Sequence, residues 1–312
     1  MQRFIRPRSS SVVGLDIRMN EVRLVLLRQA QSSIRLEQVD VIALPEGVVV
    51  DGKIIVADKL TATIQTLTQR FALQGHPVVL ALPVQSVISK RIQLMKNQTQ
   101  VNRQKEIAEN LTRYFPGVTQ ELCYDYVVLP AVDLLRENAL LVATRYEQLN
   151  DYVNVVERAG LTVKIVDVDI YALVRAVKFI TANQGAWSFI GIVEVSSTTI
   201  QFVALYNDDI TYHQQFNWGD HVDITTKLSG AIQLCCSKHQ LKKIDKLYVF
   251  GQKEAIDQMT SALMTIVGAG LQIIDPLQSI VASTSLSTAT LKIAAEKMMV
   301  CYGLALRRLP RW

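Results

Sequence analysis

The chain has 312 residues, of which 49% are hydrophobic and 20% charged, with 33 Lys and Arg against 28 Asp and Glu for a formal net charge of +5. Such a chain is long and apolar enough for two domains or one bilobed domain, which excludes a disordered protein. Its apolar stretches, such as 139–143 and 161–168, are of strand length or broken by charge, so none reads as a membrane span.

The basic start, with Arg3, Arg6 and Arg8, is followed only by the short apolar run 12–15 before Asp16, which is not a secretory signal, and the expected location is cytoplasmic. Basic residues also close the chain at Arg307, Arg308 and Arg311. Basic ends suit water, an anionic lipid surface or nucleic acid, and the last is disfavoured because no aromatic residues interleave with them. Cys123, Cys235, Cys236 and Cys301 have no CxxC spacing, and the four histidines form no ligand-like group, so reduced thiols and no zinc site are expected.

In chain order, the run 12–17 followed by 21–27 predicts a β-hairpin, and 34–44 a third strand. Leu60, Ile64, Leu67 and Phe71 form a helical stripe, and 78–82 reads as a buried strand. The stretch from about 84 to 161 has its own rhythm. It comprises a strand at 87–94, a helix carrying Ile107, Leu111 and Tyr114, strands at 122–129 and 139–144, and a helix at 146–159. A strand at 163–168 and an apolar helix at 170–180 follow, and then a hinge at 183–186.

The first hairpin then returns. Ile190-Gly191-Ile192-Val193-Glu194-Val195 is followed by 199–206, as Val12-Val13-Gly14-Leu15-Asp16-Ile17 is followed by 21–27. A strand at 210–216, a helix between 220 and 239, a strand at 246–250 and a helix at 254–267 come next. One last long helix, 291–306, carries Ile293, Met298, Cys301 and Leu304 and is expected to pack back on the first lobe. A repeated hairpin with an acid at its tip resembles the actin-like ATPases, which hold a nucleotide and magnesium between two halves. The expected fold is therefore α/β, a bilobed actin-like (ribonuclease-H-like) architecture with a small α+β insert. Its parts are 1–83 and 162–184 for lobe one, 84–161 for the insert, 185–290 for lobe two with a reduced nucleoside side, and 291–312 for the terminal helix.

More specifically, Val13 to Val25, VGLDIRMNEVRLV, resembles the opening Val-Gly-Ile-Asp-Ile-Gly-Ser-x-x-Val-Lys-Leu-Val of the PilM family of type IV pilus assembly. Ala159-Gly160-Leu161, Val166-Asp167-Val168-Asp169, Tyr171-Ala172-Leu173 and the closing Tyr302-Gly303-Leu304-Ala305-Leu306-Arg307 are similar to later phrases of that family, in the same order. The resemblance implies a cytoplasmic scaffold at the inner face of the bacterial inner membrane. It would bind the short cytoplasmic N-terminal segment of a PilN-like membrane protein, and through it PilO and PilP. It further implies that the insert is like the small domain of FtsA, with the partner groove near 84–161. A homo-oligomer stays open, as do an actin-fold ATPase or sugar kinase and a type II secretion platform adaptor.

By the same resemblance, the nucleotide site would comprise Asp16, Arg18, Met19, Asn20, Arg23, Glu194, Ser196, Ser197, Thr198, Gly219, Gly251 and Gln252. Asp16 would order water around magnesium, or else serve as a turn residue bonding its own backbone. The site departs from its pattern in several places. Arg18 stands where the family has glycine, Glu194 where an aspartate is expected, and one glycine, Gly251, where a pair is usual. One helix between Gly219 and Lys246 replaces a subdomain that lines the nucleoside. Asp167 and Asp169 stand where an ATPase positions its attacking water, although an aspartate before a helix is also a good N-cap. The expectation is therefore binding without ATP turnover, with ATP and magnesium held weakly at most.

Overall fold

Strand β1 (Ser11–Ile17) is apolar on both faces apart from Asp16, and a strand of that kind must be covered on both sides. The structure, a computed structural model, describes residues 11–309 apart from 31–32, 130–134, 186, 197–198, 218–223 and 268–269. β1 pairs antiparallel with β2 (Glu21–Ala30), which pairs with β3 (Ser33–Ala43). After the short hairpin β4 (Val49–Val50) and β5 (Lys53–Ile54), helix α1 (Ala57–Arg70) leads to β6 (Pro77–Leu82), parallel to β1. The first sheet has the order β10-β6-β1-β2-β3-β16, with β10 at Thr162–Val168 and β16 at Val281–Ala282.

The period of two sorts the side chains of this sheet. Val13, Leu15, Leu24 and Leu80 pack with α1 and with Tyr152 and Val156 of α4 (Tyr146–Arg158), whereas Val12, Val25, Leu27 and Val79 face α5 (Asp169–Ile180) and α9 (Met299–Arg308). Helix α4 lies in the range read as the insert, yet its buried face belongs to the first lobe. The separately packed unit is the three-stranded sheet β7-β9-β8 with α2 (Gln100–Glu109) and α3 (Leu111–Tyr114). Its strands are β7 (Val87–Met95), β8 (Leu122–Val128) and β9 (Arg136–Arg145), and its core holds Ile92, Leu94, Ile107 and Leu141.

The second sheet has the order β13-β12-β11-β14-β15, from β11 (Phe189–Val195), β12 (Thr199–Tyr206), β13 (Asp209–Asn217), β14 (Lys246–Gly251) and β15 (Leu271–Ile273). Helices α6 (Ile224–Lys238) and α7 (Lys253–Val267) cover one face, and the other face joins the core that α5 and α9 share with the first sheet. The lobes therefore have one continuous core.

Several expectations change. The last helix is two, α8 (Thr288–Lys297) and α9, because Met298 at φ −99° and ψ 10° breaks the helical backbone. α8 touches β3 and β14, and α9 packs on α5 and β1 of the first lobe. The helix through Ile107 and Tyr114 is likewise broken at Asn110, whose side-chain amide donates to the Glu106 carbonyl at 2.8 Å, competing with the regular ladder. β16, from the range read as lobe two, pairs with β3. Asp169 is the first residue of α5 and not its N-cap, which is Val168.

Gly303 sets the tightest contact. A Cβ there would stand 1.8 Å from the Ala172 carbonyl oxygen, so only glycine lets α9 lie this close to α5.

Candidate functional site

The two repeated hairpins point their acids at one another. Asp16 is the last residue but one of β1 and Glu194 the last but one of β11, and both carboxylates are buried. A carboxylate removed from water needs a partner, and here the first hairpin supplies cations. Arg18 in its turn donates from Nε to Asp16 at 2.8 Å and from its terminal nitrogen to Glu194 at 3.2 Å. Arg23 on β2 donates to Glu194 at 3.2 Å, to the Lys297 carbonyl at 2.7 Å, and from Nε to Glu21 at 2.6 Å. Lys297, closing α8, completes the row by donating to Glu21 at 2.9 Å. Three acids and three bases thus alternate across the cleft in the order Asp16, Arg18, Glu194, Arg23, Glu21, Lys297.

This row sets the local proton affinities. Burial alone would raise the Glu194 carboxyl, but Arg18 and Arg23 outweigh it and hold it below the usual range. Glu21 is depressed in the same way, with Arg23 and Lys297 overcoming burial. Burial works against the Arg18 charge as well, and Glu194 and Asp16 reverse that, so its proton is held more tightly than usual. Asp169 lies beside the row without joining it. Burial and then the Asp16 charge push its carboxyl up to about 7, although it accepts from the backbone N–H of Ile170 at 2.6 Å and of Val84 at 3.0 Å.

The other residues read as site members have local duties. The Arg18 N–H donates to the Glu21 carbonyl and the Leu44 N–H to the Asn20 carbonyl, which closes the first turn with Met19 pointing to solvent. Ser196 closes the second turn, its Oγ accepting from the Thr199 N–H at 2.9 Å. Gly251 has φ +130°, and a Cβ there would meet the Val195 carbonyl oxygen at 1.9 Å. Gln252 donates its N–H to that same oxygen at 2.8 Å. Ser197, Thr198 and Gly219 lie outside the described residues. The Asp16 carboxylate accepts from the guanidinium of Arg18, a residue of its own turn.

Asp167 accepts from Arg175 at 2.8 Å and is paired with Arg307 at 2.6 Å, so two cations hold it away from the cleft row. Glu21 and Lys297, not singled out from the sequence, complete the row. The signal for Glu21 was present, since an acid and a base at i and i+2 in a buried strand share one face and must be paired there.

As arranged, these groups do not fit a hydrated magnesium ion with a triphosphate. The carboxylates that would accept the ion's water are occupied by guanidinium groups, and the side chain of Arg18 fills the approach that a glycine turn leaves open. Among the described residues no group of three or more His, Cys, Asp or Glu side chains is placed to hold a metal.

A second feature borders the first lobe on its insert side. A groove of about 1260 Å³ runs between the insert and lobe one. Val127 of β8 and Leu140 and Val142 of β9 line one wall; Tyr171 and Phe179 of α5 line the other, with Leu306 of α9. β8 is an edge strand of its sheet and β10 an edge strand of the first sheet, and both border the groove. The Asp167, Arg175 and Arg307 cluster forms its polar floor.

A family model described as type IV pilus assembly protein PilM matches residues 14–225 and 221–309. The solved PilM-PilN type IV pilus biogenesis complex is similar, with TM-score 0.77 at 16% identity, covering 98% of this chain and 100% of that one. Ethanolamine utilization protein EutJ from Carboxydothermus hydrogenoformans gives TM-score 0.51 at 12% identity over 97% of this chain and 90% of that one. A Bacteroides thetaiotaomicron protein with an actin-like ATPase fold and unknown function gives 0.50 at 10%, over 97% and 98%. At these identities the solved structures speak for the actin-like fold. The family match runs from the first hairpin to the end of α9, and the chain therefore belongs to the type IV pilus assembly protein PilM family.

Proposed function

We propose that this protein is a scaffold of the type IV pilus inner-membrane platform, and that the groove between the insert and lobe one takes the cytoplasmic N-terminal segment of a PilN-like membrane protein. The observation that carries this reading is the groove itself, apolar on both walls and bordered by two free strand edges. An extended peptide gains main-chain hydrogen bonds from a free edge and selectivity from alternate side-chain pockets. The similar solved structure is itself a PilM-PilN complex. Link to PilO and PilP, and residence at the inner face of the inner membrane, follow from the same partner. No helix among the described residues is long and apolar enough to cross a membrane.

Calorimetry with a synthetic peptide of the partner's cytoplasmic segment tests the assignment. Val127 is 55% exposed on the groove wall, so Val127→Asp should fold normally and weaken binding about tenfold or more, as expected for losing one buried valine. Leu234→Ser, on α6 far from the groove, should leave binding unchanged. Equal binding by Val127→Asp would place the peptide elsewhere.

The cleft row favours binding work over catalysis. With Asp16 and Glu194 already neutralised, we expect no significant ATP turnover from purified protein, and Asp16→Ala should leave pilus assembly largely intact wherever the protein accumulates to its normal level. Tight magnesium-dependent ATP binding that Asp16→Ala abolishes, together with loss of pili, would make the cleft a working nucleotide site.

A further inference from the structure

The end of lobe two opposite the cleft has a different character. β11 and β14 run parallel, with Ile190 beside Lys246 at one end and Val195 beside Gly251 at the other, so the Lys246 end lies about 13 Å along the strand from Glu194. At that end Lys238 closes α6, Lys242 and Lys243 follow in the loop, and Lys246 begins β14. Lys238, Lys242 and Lys243 are exposed, and among the described residues neither Lys242 nor Lys243 has an acid within ion-pair distance. The nearby acids are engaged elsewhere. Asp245 accepts the Phe189 N–H at 2.8 Å, Asp208 pairs with Lys178 at 2.7 Å, and Asp209 pairs with Arg91 at 2.6 Å. Trp187, 43% exposed, stands beside Lys246, whose ammonium lies 5.4 Å from its ring centre.

We propose that this face of lobe two, built from Trp187, Lys238, Lys242, Lys243 and Lys246, rests on an anionic phospholipid surface. Unpaired lysines are drawn to anionic headgroups, and an exposed tryptophan ring suits the interfacial layer. The position of the groove gives a second argument, which rests on the peptide assignment above. Ala182 and Asn183 line one end of the groove, and Trp187 follows four residues later, within about 14 Å of chain. A partner segment leaving the groove at that end toward its own membrane anchor would bring this face to the bilayer. Lipid contact and peptide capture then act on one side of the molecule, and each raises the effective concentration for the other.

Co-sedimentation of the full chain with mixed phosphatidylglycerol–phosphatidylcholine vesicles, without any partner, tests the face directly. Wild type should partition weakly at low salt, release as salt rises, and ignore pure phosphatidylcholine vesicles. Lys242→Gln with Lys243→Gln should lower the partition about 25-fold, roughly fivefold per lysine. Trp187→Ala should lower it as well. Circular dichroism and peptide calorimetry on the same variants should match wild type, since none of these residues lines the groove. Equal vesicle binding by wild type and the double variant would assign the attraction to the basic chain ends and overturn the proposal. Binding to duplex DNA in preference to the vesicles would overturn it too. Loss of vesicle binding with peptide affinity intact supports the lipid face on its own; failure of the wild-type chain to bind the peptide, with the variants still losing vesicle binding, would strike the groove assignment and leave the lipid face standing.

Discussion

Asp169 is a carboxyl far from its ordinary form. Its carboxyl titrates near 7 in the folded chain and near 3.9 when unfolded, so the folded state holds the proton more tightly. The stability this contributes is full below about pH 4 and is lost as pH rises through about 7. Asp169→Asn keeps an oxygen for the Val84 and Ile170 N–H groups and removes the charge. It should therefore raise the melting temperature at about pH 8 more than at about pH 5, which thermal unfolding at both values would read. Glu194 has the opposite sign. Its carboxyl is depressed, so its contribution is present above the ordinary glutamate range and is lost as pH falls through its folded value. Sequence made Asp16 and Glu194 visible because each stands next to last in a repeated strand. It could not make their partners visible, since Arg18 and Glu194 lie 176 positions apart and meet only when the lobes close.

At the scale of elements, long strands and amphipathic helices were legible because burial imposes their period over six or more residues. The hairpins β1–β2 and β11–β12, with α1 and α5, follow directly from it. The two-residue strands β4, β5 and β16 carry no period and are set by what they lie beside. Breaks at Asn110 and Met298 were missed because neither residue is a strong helix breaker, and packing in two directions decides. The phrase around Gly303 was read as a family resemblance; its physical basis is the approach of α9 to α5. Gly303→Ala would drive a methyl group into the Ala172 carbonyl and displace α9, at a cost of about 1–3 kcal/mol or more. Denaturant titration should show a lower midpoint, and near-ultraviolet dichroism should report the change around buried Tyr302.

Across the whole molecule, the charged row is the polar counterpart of the shared core, joining the hairpins of both lobes with the end of α8. Arg23 is its centre, with a side chain only 6% exposed and contacts to Glu21, Glu194 and the Lys297 carbonyl. Arg23→Met takes one of two cations from each of the buried carboxylates, leaving Glu194 with Arg18 and Glu21 with Lys297, and should cost about 3 kcal/mol. Adding Glu194→Gln to that variant should restore part of the loss, because a buried charge that has lost one of its two cations disappears, and a double-mutant cycle in urea would measure the recovery. The row thus ties the hairpins of the two lobes together through the chain's own side chains.

The dependence of β1 on α9 also has a temporal side. The first hairpin leaves the ribosome long before the helix that covers one of its faces, although Gly14 and the Cys301 carbonyl meet in the fold. During synthesis the sheet face carrying Val12, Val25 and Leu27 must wait uncovered. The nascent lobe therefore offers an apolar surface that a chaperone can hold, and a premature stop ahead of α9 would unmake the first lobe to be translated, not the last.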